Sequence, residues 1–188
     1  VFQAQLTYFL MHGRLWLMIA TFAELALVFV ASSMAAKNSP AALPVFLVYS
    51  LLNGFTLSFV VAFYTPGTVL SAFVSSALLF FVMAAIGIFT KKDLSGMGRA
   101  LMAALVGLII AMVVNIFLAS GFFDYMISIA MVLVFSGLIA WDNQKIRYVY
   151  EQSRGQVATG WIISMALSIY LDFINLFLSI LRIFGRND

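Results

Sequence analysis

Cysteine is absent from this chain, and histidine occurs once, at His12. Disulfides, zinc–thiolate centres and cysteine nucleophiles are therefore excluded, and a histidine-based metal site lacks a second ligand. Charge is scarce too. Only 9% of the 188 residues are charged, where a soluble domain carries about a quarter. Proline occurs three times, at Pro40, Pro44 and Pro66, and never in an expected helix interior, where it would break the helix; Pro44 falls in a first turn, where it is tolerated. No polar stretch is long enough to build a separate soluble domain. No basic segment followed by a small-residue cleavage site opens the chain, so no signal peptide is expected.

What remains is apolar: 64% of the residues are hydrophobic. Uncharged runs of 18 or more residues read as membrane spans. Six are expected, at about 15–36, 41–64, 67–89, 100–119, 123–142 and 158–184. Turn signals separate them, including Pro66-Gly67, the polar loop TKKDLSGMGR (90–99), Ser120-Gly121 and the basic connector NQKIRYVYEQSRGQ (143–156). Strands of a membrane barrel would alternate over about ten residues, and these runs are longer and uniformly apolar. The expected fold class is an all-α polytopic helical membrane protein, one transmembrane domain over 1–188.

Basic residues orient the spans. Six crossings place Lys37, Lys91, Lys92, Arg99, Lys145, Arg147 and Arg154 on one side and Arg14, Arg182 and Arg186 on the other. The richer side is expected to be cytoplasmic, so both ends of this stretch lie outside. An outside start without a signal peptide is explained by an upstream helix, seven spans in all. The net charge of +3 then reports topology and gives no reason to expect a nucleic-acid partner.

Three carboxylates fall at or near bilayer depth: Glu24, Asp142 and Asp172. An acid at a helix centre costs roughly 2.5–3.5 kcal/mol to insert and normally faces a cavity or a partner. Asp172 lies on a polar stripe, Ser164, Ser168, Asp172, Asn175, Ser179, Arg182 and Arg186, whose steps of three and four keep it on one helix face. Such a face suits a water- or ion-lined path, with Glu24, Ser168, Asn175 and Ser179 as candidate pore-lining residues. Serine and asparagine also serve as hydrogen-bonding glue between membrane helices, and Glu24 also fits a packed interface. Asn53 and Asn115 read as packing hydrogen bonds, Asp93 as a solvated charge, and Asp124 as a cap of the fifth helix.

Asp142 reads at first as an acid at a helix end. If the fifth helix continues through NQKIRYVYEQ, however, Asp142 and Asp172 stand about equally far from the hairpin turn. Each is then about 13–15 residues, or about 20 Å, from it, and the two carboxylates meet in the bundle. Two like charges in a poorly solvated site cannot both ionise cheaply, so they titrate as a coupled pair. Such a pair shares a proton at low pH and takes a hard cation such as Ca²⁺ at higher pH.

The segments SIYLDFINLFLSILRIFG, GLIAWDNQKI, FTKKDLSGMGRALMAALVGLIIAMVVNIF, LVYSLLNGFTLSFVVAFY and AELALVF, in their order, resemble the transmembrane Bax-inhibitor-motif family. The resemblance covers most of the chain. It implies seven helices with the last one central, and a pH-sensitive calcium leak with Asp142 and Asp172 as the paired aspartates. Glu24 matches the family's acid in the ELALVF segment. Two departures stand out. The family's usual D-T-Q reads Asp142-Asn143-Gln144 here. The stretch after the first acid, ASSMAAKNSP, offers only Lys37 where some bacterial members carry arginines.

The expected function is a calcium-permeable leak gated at Asp142 and Asp172. Ca²⁺ is its permeant, transiently bound ion, no cofactor is held tightly, and a bacterial inner membrane is its site. Two alternatives stay open. One is a non-conducting regulator that binds a membrane-protein partner. The other is an intramembrane aspartyl protease, for which two aspartates would share a proton to activate water. The flanks Ala140-Trp141-Asp142 and Tyr170-Leu171-Asp172 do not match the presenilin-like pattern, so the chain is not expected to be an enzyme.

Overall fold

In the computed structural model, residues 14–187 are described. Within them the chain is helical and no strand occurs. Six α-helices follow one another: α1 (Arg14–Ala36), α2 (Ala42–Val61), α3 (Pro66–Phe89), α4 (Ser95–Leu118), α5 (Gly121–Gln152) and α6 (Thr159–Phe184). A short 3₁₀ turn, Gly185–Asn187, ends the series. Helices α2 to α6 are each long and apolar enough to cross a membrane.

Local chemistry sets the boundaries. Thr65 caps α3, its hydroxyl accepting from the Thr68 amide at 3.3 Å, with Pro66 opening the first turn. Two expected boundaries are corrected. Helix α4 begins at Ser95 rather than near residue 100, because Asp93 accepts from the Ser95 amide (2.9 Å) and hydroxyl (2.8 Å) and starts the helix early. Helix α5 runs without a break through Asn143 to Gln152, since the Asn143 amide is satisfied by the Ile139 carbonyl on its own helix at 2.8 Å. At the other end of α5 the cap is Ser120, whose hydroxyl accepts from the Phe123 amide at 3.3 Å. Asp124 sits in the first turn instead, where a negative charge suits the helix dipole.

The chain divides into two compact units. The first holds the chain through Phe63 and Ala158–Ser164. In it α1 packs on α2, with Ala35, Ala42 and Ile163 at the core and Met34 and Phe46 against them. Gly160 presses so close to the Ala35 carbonyl that a Cβ would collide with it, and its amide donates to Asn38 Oδ1 at 2.7 Å.

The second unit holds Tyr64–Val157 and the chain from Met165 onward. Here α5 packs against both α3 and α4. The contacts rest on small residues. A Cβ on Gly87 of α3 would strike the Ala140 carbonyl, and one on Gly98 of α4 would enter the Trp141 ring. Close backbone approach of this kind drives helix association in lipid, where apolar side chains gain little by leaving an equally apolar solvent. Edge-to-face ring pairs join α3 to α6, with centroids 6.0 Å apart for Phe73–Phe173 and 5.6 Å for Phe80–Phe173. Such pairs add about 0.5–1.5 kcal/mol each.

Burial concentrates on α5 and α6, whose apolar windows are 44% and 39% buried, against 0% for α4. The last helix is thus among the two most enclosed, and it shares that place with α5. The outward faces of α2, α3 and α4 carry large apolar side chains, among them Leu51 at 76% and Phe117 at 84% exposed. A water-soluble protein would not display such a surface, whereas lipid accepts it.

Candidate functional site

Asp142 stands on α5 directly after the two residues that the glycines clamp. Ala140 is held by Gly87 and Trp141 by Gly98, so the depth and rotation of Asp142 are fixed from both sides. Asp142 is 4% exposed and Asp172 of α6 is 6% exposed. The two share the lining of one cavity.

The direct hydrogen-bond partner of Asp142 within the site is a hydroxyl. The Ser168 hydroxyl, rather than the Asp172 carboxyl, meets Asp142 directly and donates to its Oδ2. The reason is the turn. Helix α5 ends at Gln152 and α6 begins at Thr159, so the hairpin centres near residue 155 and the α6 residue level with Asp142 lies near Ser168. Arg154 and Gly155 make the reversal with positive φ of 51° and 81°, Gly155 adopting it without steric cost. Asp172 is displaced one turn along α6 from Ser168, on the same face. Its Oδ2 is buried with no hydrogen-bond partner.

Both carboxylates open into one cavity of about 410 Å³ walled by α4, α5 and α6. Asp142, Ser168, Asp172 and Asn175 form its polar side. Four methionines are prominent in its apolar wall, beside leucine, isoleucine and phenylalanine: Met102 and Met112 of α4, Met131 of α5 and Met165 of α6. Methionine is unbranched and polarizable, so this wall can repack around a changing occupant. Lys145 and Trp141 also line it, with the ammonium 5.5 Å from the ring centroid.

The other polar residues distribute differently. Asn175 lines the cavity but spends its amide on the Leu171 carbonyl at 2.7 Å. Ser179 donates to the Asn175 carbonyl of its own helix at 2.7 Å and is not among the residues lining this cavity. Glu24 is bound by α2 of its own unit, accepting from Asn53 Nδ2 at 3.1 Å and from the Thr56 hydroxyl. That is the packed-interface arrangement, and Glu24 is not among the cavity-lining residues. Asn115 accepts from the Ser120 amide at 3.2 Å and belongs to the α4–α5 turn. Among the described residues no three acidic or imidazole side chains gather as a metal cluster. The site therefore offers two carboxylates, well short of the six to eight oxygens of a tight Ca²⁺ cage. Trp141 and Lys145 were missed as site residues. Their i, i+4 spacing on the face next to Asp142 was the available signal.

The whole chain, residues 1–188, matches the family described as inhibitor of apoptosis-promoting Bax1. It is 60% identical over 169 residues to an uncharacterized membrane protein of Streptococcus pyogenes serotype M1, covering 90% of this chain and 74% of that protein. It is 47% identical over 184 residues to the protein YrjE of Lactococcus lactis, covering 98% and 79%. It is 41% identical over 181 residues to the inner membrane protein YbhL of Escherichia coli K12, covering 94% and 77%.

Proposed function

Because the chain belongs to the Bax1-inhibitor family of membrane proteins, we propose that it is a calcium-permeable cation leak gated by protonation at Asp142 and Asp172. The observation that carries this reading is the asymmetry of the pair. Asp142 has a donor in Ser168, while the buried Oδ2 of Asp172 has none, and both face one cavity. Two unneutralised carboxylates this close repel each other in a poorly hydrated space. Either a proton or a cation relieves the repulsion, and the two compete.

At low pH the shared proton occupies the pair, resting on Asp172 because Ser168 already serves Asp142. At higher pH the proton leaves and the pair draws in a hard cation. Two carboxylates hold such an ion weakly enough to release it, as conduction requires. The basic α3–α4 loop, with Lys91 and Lys92, and the basic late part of α5, with Lys145 and Arg147, face the cytoplasm of the inner membrane in this reading.

The test is Ca²⁺ flux into liposomes that contain only the purified protein, measured at two pH values. Flux that rises with pH, and loses that dependence in Asp142→Asn and Asp172→Asn, supports the leak. Protein that inserts correctly but passes no Ca²⁺ at either pH overturns it and favours a non-conducting regulator.

A further inference from the structure

A second hollow lies on the other side of Trp141 and Lys145. It measures about 520 Å³ and is formed by the loop between α3 and α4 and by the facing stretch of α5. Lys91 and Lys92 enter it from the loop, Lys145 and Arg147 from α5. One carboxylate, Asp93, lies among them. Its two oxygens already accept from the Ser95 amide and hydroxyl, which hold its carboxyl below the usual carboxylate range. Among the described residues the only ion pair is Arg147 with Glu151, at 3.7 Å. No carboxylate pairs with the three lysines.

The walls of this hollow are fixed before anything enters. Gln144 bridges to the loop at both ends of its amide, accepting from the Leu94 N–H at 2.8 Å and donating to the Lys92 carbonyl at 2.7 Å. The Arg147 guanidinium donates to the Ile88 and Thr90 carbonyls, capping the end of α3. Arg147 Nε makes no hydrogen bond. The loop carrying Lys91 and Lys92 is thus pinned to α5, and preorganised cations lose little on engaging an anion.

Position then selects the kind of anion. The hollow sits where α3 ends and α4 begins. At 1.5 Å per residue the 32 residues of α5 extend about 48 Å, against about 30 Å of hydrocarbon, so the late part of α5 reaches headgroup level. Tyr148, which lines the hollow, is 58% exposed, as suits an interfacial aromatic. Phe89, the last residue of α3 before the loop, is 78% exposed, an apolar surface beside the cations that a soluble anion has no use for.

We propose that this basic hollow binds the phosphate of an anionic phospholipid headgroup, with Lys91, Lys92 and Lys145 as its cationic contacts and the acyl chains lying along the apolar end of α3. The chemistry required is one phosphate anion at membrane-surface depth. Basic pockets between spanning helices take such headgroups, each lysine contributing about fivefold in affinity. This assignment stands apart from the cation-leak reading, since neither Asp142 nor Asp172 is needed for it.

The experiment is native mass spectrometry of the detergent-solubilised full chain. It is titrated with short-chain phosphatidylglycerol, with phosphatidylcholine of the same chain length, and with inorganic phosphate. The expected result is retention of phosphatidylglycerol over both other probes. Lys91→Gln, Lys92→Gln and Lys145→Gln should each weaken it by about fivefold, while Lys37→Gln, in the other unit, leaves it unchanged. Equal retention of the two lipids overturns the proposal, as does wild-type binding in all three hollow variants. Inorganic phosphate held as well as phosphatidylglycerol overturns the lipid assignment and leaves a soluble anion as the ligand. Unchanged thermal unfolding of the variants separates lost binding from lost folding.

Discussion

Ser168 and Asp142 are joined across the α5–α6 hairpin by a single hydroxyl-to-carboxylate hydrogen bond. The bond makes two chemically identical acids unequal, because Asp172 has no comparable donor at its buried Oδ2. Removing the hydroxyl should therefore act on the pair more than on the fold. Ser168→Ala leaves Asp142 without its donor, at a cost of roughly 1.5–3 kcal/mol for a hydrogen bond to a charged group. The expected outcome is a lowered unfolding temperature in detergent, together with a displaced pH profile of Ca²⁺ flux. A lowered unfolding temperature with an unmoved pH profile would make Ser168 a packing residue only.

Asp172→Asn keeps the shape of the side chain and removes its charge. Repulsion with Asp142 disappears, so proton and cation no longer compete for a shared site. The ratio of Ca²⁺ flux at high and low pH should fall toward unity, and the variant should be no less stable than the parent in thermal melts. A wild-type ratio in this variant would count against the paired-acid gate.

The glycines under α5 make a sharper structural prediction. Adding a Cβ to a helical glycine gains up to about 1 kcal/mol of helix propensity. At Gly98 that Cβ would meet the Trp141 ring, and at Gly87 the Ala140 carbonyl, where overpacking costs about 1–3 kcal/mol. The backbone carbonyl cannot give way, so Gly87→Ala should destabilise more than Gly98→Ala. Gly107, also on α4, has open space around it, and Gly107→Ala should be neutral or stabilising. Thermal unfolding of the three variants in one detergent gives the ranking.

Glu24 should behave as a clamp between α1 and α2. Glu24→Gln replaces a charged acceptor with a neutral amide and so weakens the bonds that Asn53 and the Thr56 hydroxyl make to it, a loss of roughly 1 kcal/mol. Stability should fall while the pH dependence of flux stays as in the parent. A changed pH dependence would return Glu24 to the ion path.

Asp93 gives a pH effect outside the spans. Hydrogen bonds from Ser95 lower its folded pKa, so the stabilisation is complete above the ordinary aspartate range and is lost as pH falls through the lower folded value. Amide exchange at Ser95 should therefore accelerate at acid pH, after correction for intrinsic rates, and Asp93→Ala should show the fast exchange at neutral pH.

The helices were legible because long apolar runs and proline or glycine breaks are strong local signals, and Asp172 stood out as a lone acid in such a run. What escaped was set by particular side-chain contacts. SGMG at 95–98 looks like loop sequence, yet it forms the first turn of α4, which the Asp93–Ser95 hydrogen bonds start. Of the polar stripe of α6, Ser168, Asp172 and Asn175 line the cavity, but spacing alone does not tell that Asn175 and Ser179 bond back to their own helix. The direct contact of Ser168 with Asp142 depends on which α6 residue the hairpin sets level with Asp142, which the spacing within one helix does not carry.

Trp141 gives the protein a built-in optical probe. Its indole borders both the acid-lined cavity and the basic hollow, is wedged against Gly98 and carries an ammonium over its face. With Trp16 and Trp161 replaced by phenylalanine, one fluorophore would remain at the partition between the two chambers. Its emission would register an ion arriving on one side and a headgroup on the other, without any attached dye.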